Sequence, residues 1–416
     1  MAIRGRPAAA IGLFVLLGAL VALGHWYDTR RPQVSRSTQP SLVVHVTSPA
    51  DRGPGSLREA LFIVSAATGP GSISIEVPEI HLETALPPLV NGHGIRLVGQ
   101  APNGQIDARA LPSGPVLDVS GPNTSIEGLT IRNCPAAAIL IRALRFRLSA
   151  STVESCDVGV DVADNAGETL IERNRFHNDR VGVRFAAAGR NSAVVSNEFT
   201  GDKDAGLWAV RASSGAHDAV IGVHDNKFTG DGTGIVAGNI SILVERNDFI
   251  NERDADVHVV GAGTVIRGNR MTGGASMGIV AENARGTVIE DNELEGISAY
   301  GIMVRGSSNT LVQANRLHNC GYGFAFVLGD PHNLSTAVDN TIIEPKFNGI
   351  DVIGDSPILR RNHVLRAHAY ALHVEDFQPA TGVKVLSQPY LDDNDFGNTP
   401  VLRSGVALAA GAGGKR

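Results

Sequence analysis

Short runs in which apolar and polar residues alternate recur along most of this chain, each set punctuated by an asparagine. The asparagine stands in phrases such as LIERNRF, LVERNDF and VIEDNEL, at positions 174, 197, 226, 247, 269, 292, 315, 340, 362 and 394. Successive copies are 23, 29, 21, 22, 23, 23, 25, 22 and 32 residues apart. The residue two past each asparagine is apolar, as in Phe176, Phe199, Phe228 and Phe249. A glycine follows eight or nine residues after the asparagine at 182, 206, 234, 278, 301, 323 and 349, with Asp256 and Ala371 in that slot elsewhere. The positions one and three past this slot are apolar or small, for example Val183 and Phe185, or Ile302 and Val304. Alternation with period two marks a strand with one buried face.

A repeat in the low twenties built from such runs predicts a solenoid in which each repeat is one coil. Three short strands and three turns per repeat give a triangular coil, and stacked coils pair each strand in parallel with its copies above and below. The expected fold is therefore all-β, a right-handed parallel β-helix of about 11 to 12 coils. A leucine-rich repeat would show a leucine ladder and lacks the paired Gly-Ile-x-Val strand. The asparagine is expected to bond along the stack at one corner, taking the left-handed conformation there, and the glycine to ease another corner. SIEGLTIRNC and ASTVESC read as two earlier coils with Cys134 and Cys156 in the asparagine slot. One coil apart, these read as two stacked buried thiols, with a disulfide as the alternative; Cys320 has no evident partner.

The ends differ from the repeat. Arg4 and Arg6 precede an uncharged run from Ala8 to Gly24, followed by Trp26 and Tyr27. Residues 1–27 thus read as a signal anchor or signal peptide, with inner-membrane association through residues 8–24. Residues 28–40 read as a linker, 41–90 as an N-terminal strand and cap helix, 91–403 as the β-helix and 404–416 as a low-complexity tail. The cap helix is expected from Ser56, where Ser56-x-x-Glu59 forms a capping box and Leu57, Ala60, Leu61 and Val64 form an apolar stripe. This topology places the repeat in the cell envelope, facing the periplasm or secreted into it. The 36 Lys and Arg against 42 Asp and Glu give a net charge of −6, with no basic stripe for nucleic acid.

Candidate chemistry lies on the outward positions of the glycine-bearing strand. Two past the glycine slot stand Arg184, Trp208, His258, Asp351 and His373; four past it stand Glu282, Arg305 and Glu375. A face of parallel strands is a long shallow groove that suits an extended polymer. Arg305 would neutralise a sugar carboxylate, His373 would abstract a proton, and Asp351 or Glu375 would orient the histidine. Hydrolysis would instead use Asp351 and Glu375 as a carboxylate pair. Glu282, Trp208, Arg184 and His258 are the substrate-binding candidates. Tyr300, Tyr322 and Tyr370 share the slot before the glycine and read as a buried aromatic ladder or a stacking platform for sugar rings. Asp202-Lys203-Asp204 and Asp392-Asp393-x-Asp395 offer oxygen ligands to Ca²⁺ or simply form turns. No other cofactor is indicated.

From residue 41 to about 400 the repeat resembles the pectate-lyase-like and carbohydrate-binding/sugar-hydrolase β-helix proteins, which include lyases, glycosidases and alginate C5-epimerases. The segment LVVHVTSPADRGPGSLREAL is similar to the entry segment of exported bacterial β-helix proteins. Tyr322-Gly323-Phe324 followed by Asp330-Pro331-His332-Asn333 resembles the epimerase motif Tyr-Gly-Phe/Ile-Asp-Pro-His-Asp. Here the Asp-Pro-His begins six residues after Phe324 instead of directly after it, and Asn333 replaces the final acid. The resemblance implies catalytic roles for Asp330 and His332. It implies a polysaccharide-active protein, a lyase or epimerase or a hydrolase of an acidic polymer; the alternative is a non-catalytic polysaccharide-binding or scaffold protein.

Overall fold

The computed structural model describes residues 42–186, 191–211, 220–261, 263–329, 334–377, 384–403 and 406–407. The apolar run at 8–24, the pair Asp330 and His332, and the tail from 408 lie outside the described residues. Three parallel sheets run the length of a solenoid of about 13 turns. Face A has 15 strands from Leu42–Val46 to Tyr390–Asp392, face B has 13 from Glu79–His81 to His363–Leu365, and face C has 14 starting at Leu117–Val119. One coil is Val288–Glu290 on A, Glu293–Glu295 on B and Tyr300–Arg305 on C. The extra turns over the expected 11 to 12 lie at the N-terminal end, where Leu42–Val46 pairs with Gly71–Ile75 and that strand with Ile95–Gly99. Those coils carry no repeat asparagine, so the period does not reveal them.

The asparagines form an unbroken ladder at the A–B corner. Asn247 is typical: its Oδ1 accepts from the backbone N–H of Asn226 at 2.9 Å and from Asn226 Nδ2 at 3.0 Å. Its own Nδ2 donates to the Val223 carbonyl at 2.9 Å and to Asn269 Oδ1 at 3.1 Å. The side chain thereby satisfies corner amides that strand pairing cannot reach. The left-handed residue is the one before each asparagine, such as Arg173, Asp225 or Arg246, and not the asparagine itself. The glycine slot is likewise explained by space and not by a positive φ. A Cβ at Gly234 would lie 2.6 Å from the ring of Phe249 on the next coil, and one at Gly182 would lie 2.8 Å from Phe199. Inside, Phe176, Phe199, Phe228 and Phe249 stack face to face at centroid spacings of 4.9, 4.7 and 4.9 Å.

A second interior ladder stands five residues past the asparagine, and it is made of acids. Cys156 N donates to Asp179 Oδ1 at 2.7 Å, Asp179 N to Asp202 Oδ1 at 2.9 Å, Asp202 N to Asp231 Oδ1 at 2.8 Å, and Asp231 N to Glu252 Oε2 at 2.7 Å. The second oxygen of each acid is buried without a hydrogen-bond partner, and so are both oxygens of Asp256, which fills a glycine slot. Burial pushes Asp179 up to about 8, Asp231 to about 7 and Glu252 to about 9, and raises Asp202 and Asp256 strongly. Cys134 and Cys156 belong to this column. Ser151, whose N–H donates to Asn174 Oδ1 at 3.0 Å, holds the asparagine slot of that coil. The two cysteines are joined in a disulfide with Cα atoms 4.3 Å apart, in place of two free thiols.

The expected helix spans Leu57–Ser65 and packs Leu57, Ala60, Leu61 and Val64 inward against the first strands of face A. Ser56 Oγ accepts from Glu59 N at 3.3 Å, while the Glu59 carboxylate takes the Gly55 N–H at 2.6 Å instead of that of Ser56. Ser56→Ala should cost about 1 kcal/mol, measurable by chemical denaturation. No helix among the described residues is long and apolar enough to cross a membrane.

Candidate functional site

The outward residues of face C form two continuous columns. One runs Asp161, Arg184, Trp208, Val236, His258, Val280, Met303, Ala325, Asp351, His373. The other includes Val210, Gly238, Val260, Glu282, Arg305, Val327, Ile353 and Glu375, in that order. Parity is as expected: Val374 is buried in the core while His373 faces outward beside it.

At the C-terminal end of the first column Asp351 gathers a compact cluster. Its side chain is only 3% exposed. Oδ1 accepts from Asn348 Nδ2 at 2.8 Å and lies 3.1 Å from His373 Nδ1; Oδ2 accepts from Tyr300 Oη at 3.2 Å. The bond to Asp351 outweighs desolvation and raises the His373 pKa above the usual imidazole value. Burial, with the Asp351 charge behind it, raises the Tyr300 phenol. A carboxylate can only accept, so Nδ1 of His373 carries the proton and the neutral ring keeps its lone pair on Nε2. Tyr300 stacks on Tyr322 at 4.5 Å, Tyr322 on the half-exposed Phe347 at 4.9 Å, and Tyr370 lies 6.1 Å from the His373 ring. The tyrosines thus lie on the outer side, half-buried, and do not form a ladder inside the core.

The remaining candidates form separate groups. Glu282 sits between His258, at 3.3 Å, and Arg305, at 3.7 Å. Arg305 is drawn toward the earlier coil, and Val327 and Ile353 separate its position from Glu375 in the column. Arg184 makes a bidentate pair with Asp161 at 2.9 and 2.6 Å, one rung from Trp208. Phe347 and Asn348 were not singled out from the sequence. The available signal was that Asn348 holds the slot occupied by Tyr300, Tyr322 and Tyr370 on other coils.

The proposed calcium-ligating acids do not converge. Asp202 points into the core ladder, whereas Asp204 lies outside on Arg180 at 3.0 Å. Asp392 pairs with Arg360 at 2.8 Å, and Asp395 faces His363 at 3.6 Å. A cleft of about 290 Å³ on face B is lined by Arg270, Glu293, Glu295, Arg316, His318 and Arg366 among others; His318 lies 3.5 Å from Glu295, and His318 and Arg366 also pair with Glu344 beside it. Face C holds the oriented histidine.

Two family models match the chain: one described as right-handed beta helix region, over residues 214–367, and one described as periplasmic copper-binding protein (NosD), over residues 112–259. The protein is a right-handed parallel β-helix. No curated protein sequence matches it. Among solved structures, this β-helix is similar to the catalytic unit of a GH87 alpha-1,3-glucanase from Streptomyces thermodiastaticus. That match has 14% identity, covers 89% of this chain and 71% of that one, and has a TM-score of 0.58. A tailspike of E. coli bacteriophage HK620 in complex with a hexasaccharide aligns at 13% identity over 85% and 78% of the two chains, TM-score 0.54. The A-module of a mannuronan C-5 epimerase from Azotobacter vinelandii aligns at 12% identity over 85% and 98%, TM-score 0.49.

Copper does not fit the described residues. It favours thiolate, thioether and imidazole ligands. The one converging set of three potential ligands among those residues is Glu79, His81 and Asp107, which lies outside the stretch matched by the copper-binding model. Its carboxylates are already held by guanidinium groups: Arg132 bonds Glu79 and Arg109 lies 2.8 Å from Asp107.

Proposed function

We propose that this carbohydrate-active β-helix protein binds an extended polysaccharide along face C and transfers protons at the Asp351–His373 pair, with lyase or epimerase chemistry on an acidic sugar. The observation that carries this reading is the engagement of both Asp351 oxygens by Tyr300, Asn348 and His373. A carboxylate so occupied orients a base; it is a poor general acid or nucleophile for hydrolysis with Glu375. Nε2 of His373 takes the proton from the sugar carbon next to the carboxylate. Arg305, released from its long contact to Glu282, balances the charge that develops on that carboxylate. In a lyase the electron pair expels the 4-linked oxygen; in an epimerase a proton returns from the opposite face. The aromatic stack of Tyr300, Tyr322 and Phe347 gives ring faces against which a sugar can lie.

The saccharide-acting and saccharide-bound neighbours support a polysaccharide ligand, and the periplasmic family match supports an envelope location. Residues 8–24 would then serve as leader or inner-membrane anchor. The rival reading, a non-catalytic binding or scaffold protein, draws on the pairing of Arg305 with Glu282 away from His373.

The test is turnover on a panel of uronans, followed by its pH dependence. A histidine base must be neutral, so activity should rise with pH through a pKa above about 6.5. Asp351→Asn should move that limb down toward the ordinary imidazole value and lower kcat by 10- to 1000-fold, roughly. Polymer binding with no product from any uronan establishes the rival. An unmoved limb in the variant removes Asp351 from its role.

A further inference from the structure

The first column of face C contains the one tryptophan among the described residues, Trp208, with 36% of its surface exposed. An indole on the outer face of a parallel sheet adds nothing to the core packed behind it. Its neighbour one coil earlier is Arg184, whose guanidinium is fixed by two hydrogen bonds to Asp161. That ion pair leaves the rung next to the ring charge-compensated. From Trp208 the column continues through Val236, Val280, Met303 and Ala325, an apolar floor interrupted only by His258. It then reaches Asp351, beside the Tyr300–Tyr322–Phe347 stack, and His373. Polar groups thus sit at the two ends of a trough with an apolar floor, each end carrying an exposed or half-exposed aromatic surface.

Six rungs separate Trp208 from Asp351. At ~4.8 Å per rung the separation is about 29 Å along the solenoid axis. An extended pyranose chain advances by a similar distance per ring, so with one ring on each rung about seven rings reach from Trp208 to Asp351. The C–H face of a pyranose is apolar and matches an indole, while its hydroxyls reach the paired Arg184 and Asp161 at the edge.

We propose that Trp208, flanked by the Arg184–Asp161 pair, is a distal sugar-binding subsite that makes the protein select chains of about seven rings or more. This rests on the reading of face C as the polysaccharide groove. Because its guanidinium is already neutralised by Asp161, the subsite reads the ring face and not the sugar's charge. Binding energy collected there is remote from the reacting atoms and holds the chain in register on His373.

The experiment uses the full chain with Trp26→Phe, leaving Trp208 as the only emitter, and mannuronate oligomers of three and eight rings as probes. The octamer should shift the emission and bind roughly tenfold more tightly than the trimer. Trp208→Ala, with affinity read by calorimetry, should erase the difference between the two lengths. His373→Ala should keep the octamer shift while losing turnover. Equal affinity for both lengths, or an unchanged length preference in Trp208→Ala, overturns the subsite alone. If neither oligomer binds, the subsite and the acidic-polymer reading of the groove fall together.

Discussion

The protein should become easier to unfold as pH rises from about 5 to about 9, the reverse of what paired surface carboxylates produce. Asp179, Asp202, Asp231, Glu252 and Asp256 are fully or almost fully buried, and burial raises the pKa of each. For a carboxyl whose folded pKa lies above its unfolded value, the folded state holds a proton that the unfolded chain has released. The stabilisation is complete below the unfolded pKa, near 4, and is lost as pH climbs toward the folded values of about 7 to 9. Asp107 behaves oppositely: its hydrogen bonds from Arg109 and Asn133 outweigh burial and hold it at about 2, so its contribution disappears only in strong acid. The two groups act in separate pH windows. Thermal unfolding followed at pH 5, 7 and 9 reads the first of them.

Asp256→Gly tests the same argument at one residue. Asp256 sits in a slot that is glycine on most coils, has both oxygens unpartnered, and precedes the coil in which the flexible Met271 takes the place that the earlier coils give to phenylalanine. Removing it eliminates a buried unsatisfied group, which costs about 1 to 3 kcal/mol, so the variant should melt higher than the parent, most of all at alkaline pH. A lower melting temperature for Asp256→Gly at pH 9 would show that the carboxyl is stabilising and defeat the account.

Asn247→Ala should have the largest destabilising effect of a single corner substitution. It removes the acceptor for the buried Asn226 amide and the donor to the Val223 carbonyl and to Asn269. Two stranded backbone groups and a small void amount to about 3 kcal/mol or more. The site is central, and in a stack where each coil contacts only its neighbours a broken interface uncouples the two halves. Unfolding should lose its single transition. The same change at Asn394, which ends the ladder and is partly exposed, should cost less than half as much. Equal losses at the two positions would mean that the ladder does not act as a continuous element.

Much of this architecture is legible in the chain because a solenoid writes its tertiary contacts as a short-range period. Phe176, Phe199, Phe228 and Phe249 touch because they hold the same phase of the repeat, and the repeat is visible without any coordinate. Inward and outward parity along face C follows from alternation alone. The first coils, lacking asparagine, escaped the period and needed strand pairing to be found.

The sequence by itself determined the coil, the Asn ladder, the phenylalanine stack and the residues that face the groove on face C. Only the tertiary structure decided which of those residues meet. Side-chain reach along the axis differs from residue to residue, so Tyr300 crosses two coils to Asp351 while Arg305 turns back to Glu282. It also decided that Asp202 lies inside and Asp204 outside, and that Cys134 and Cys156 bond to each other. A period fixes the phase of each residue, but corner geometry sets where a turn residue points. At such corners the competition between solvation and backbone amides is settled by the neighbouring coil.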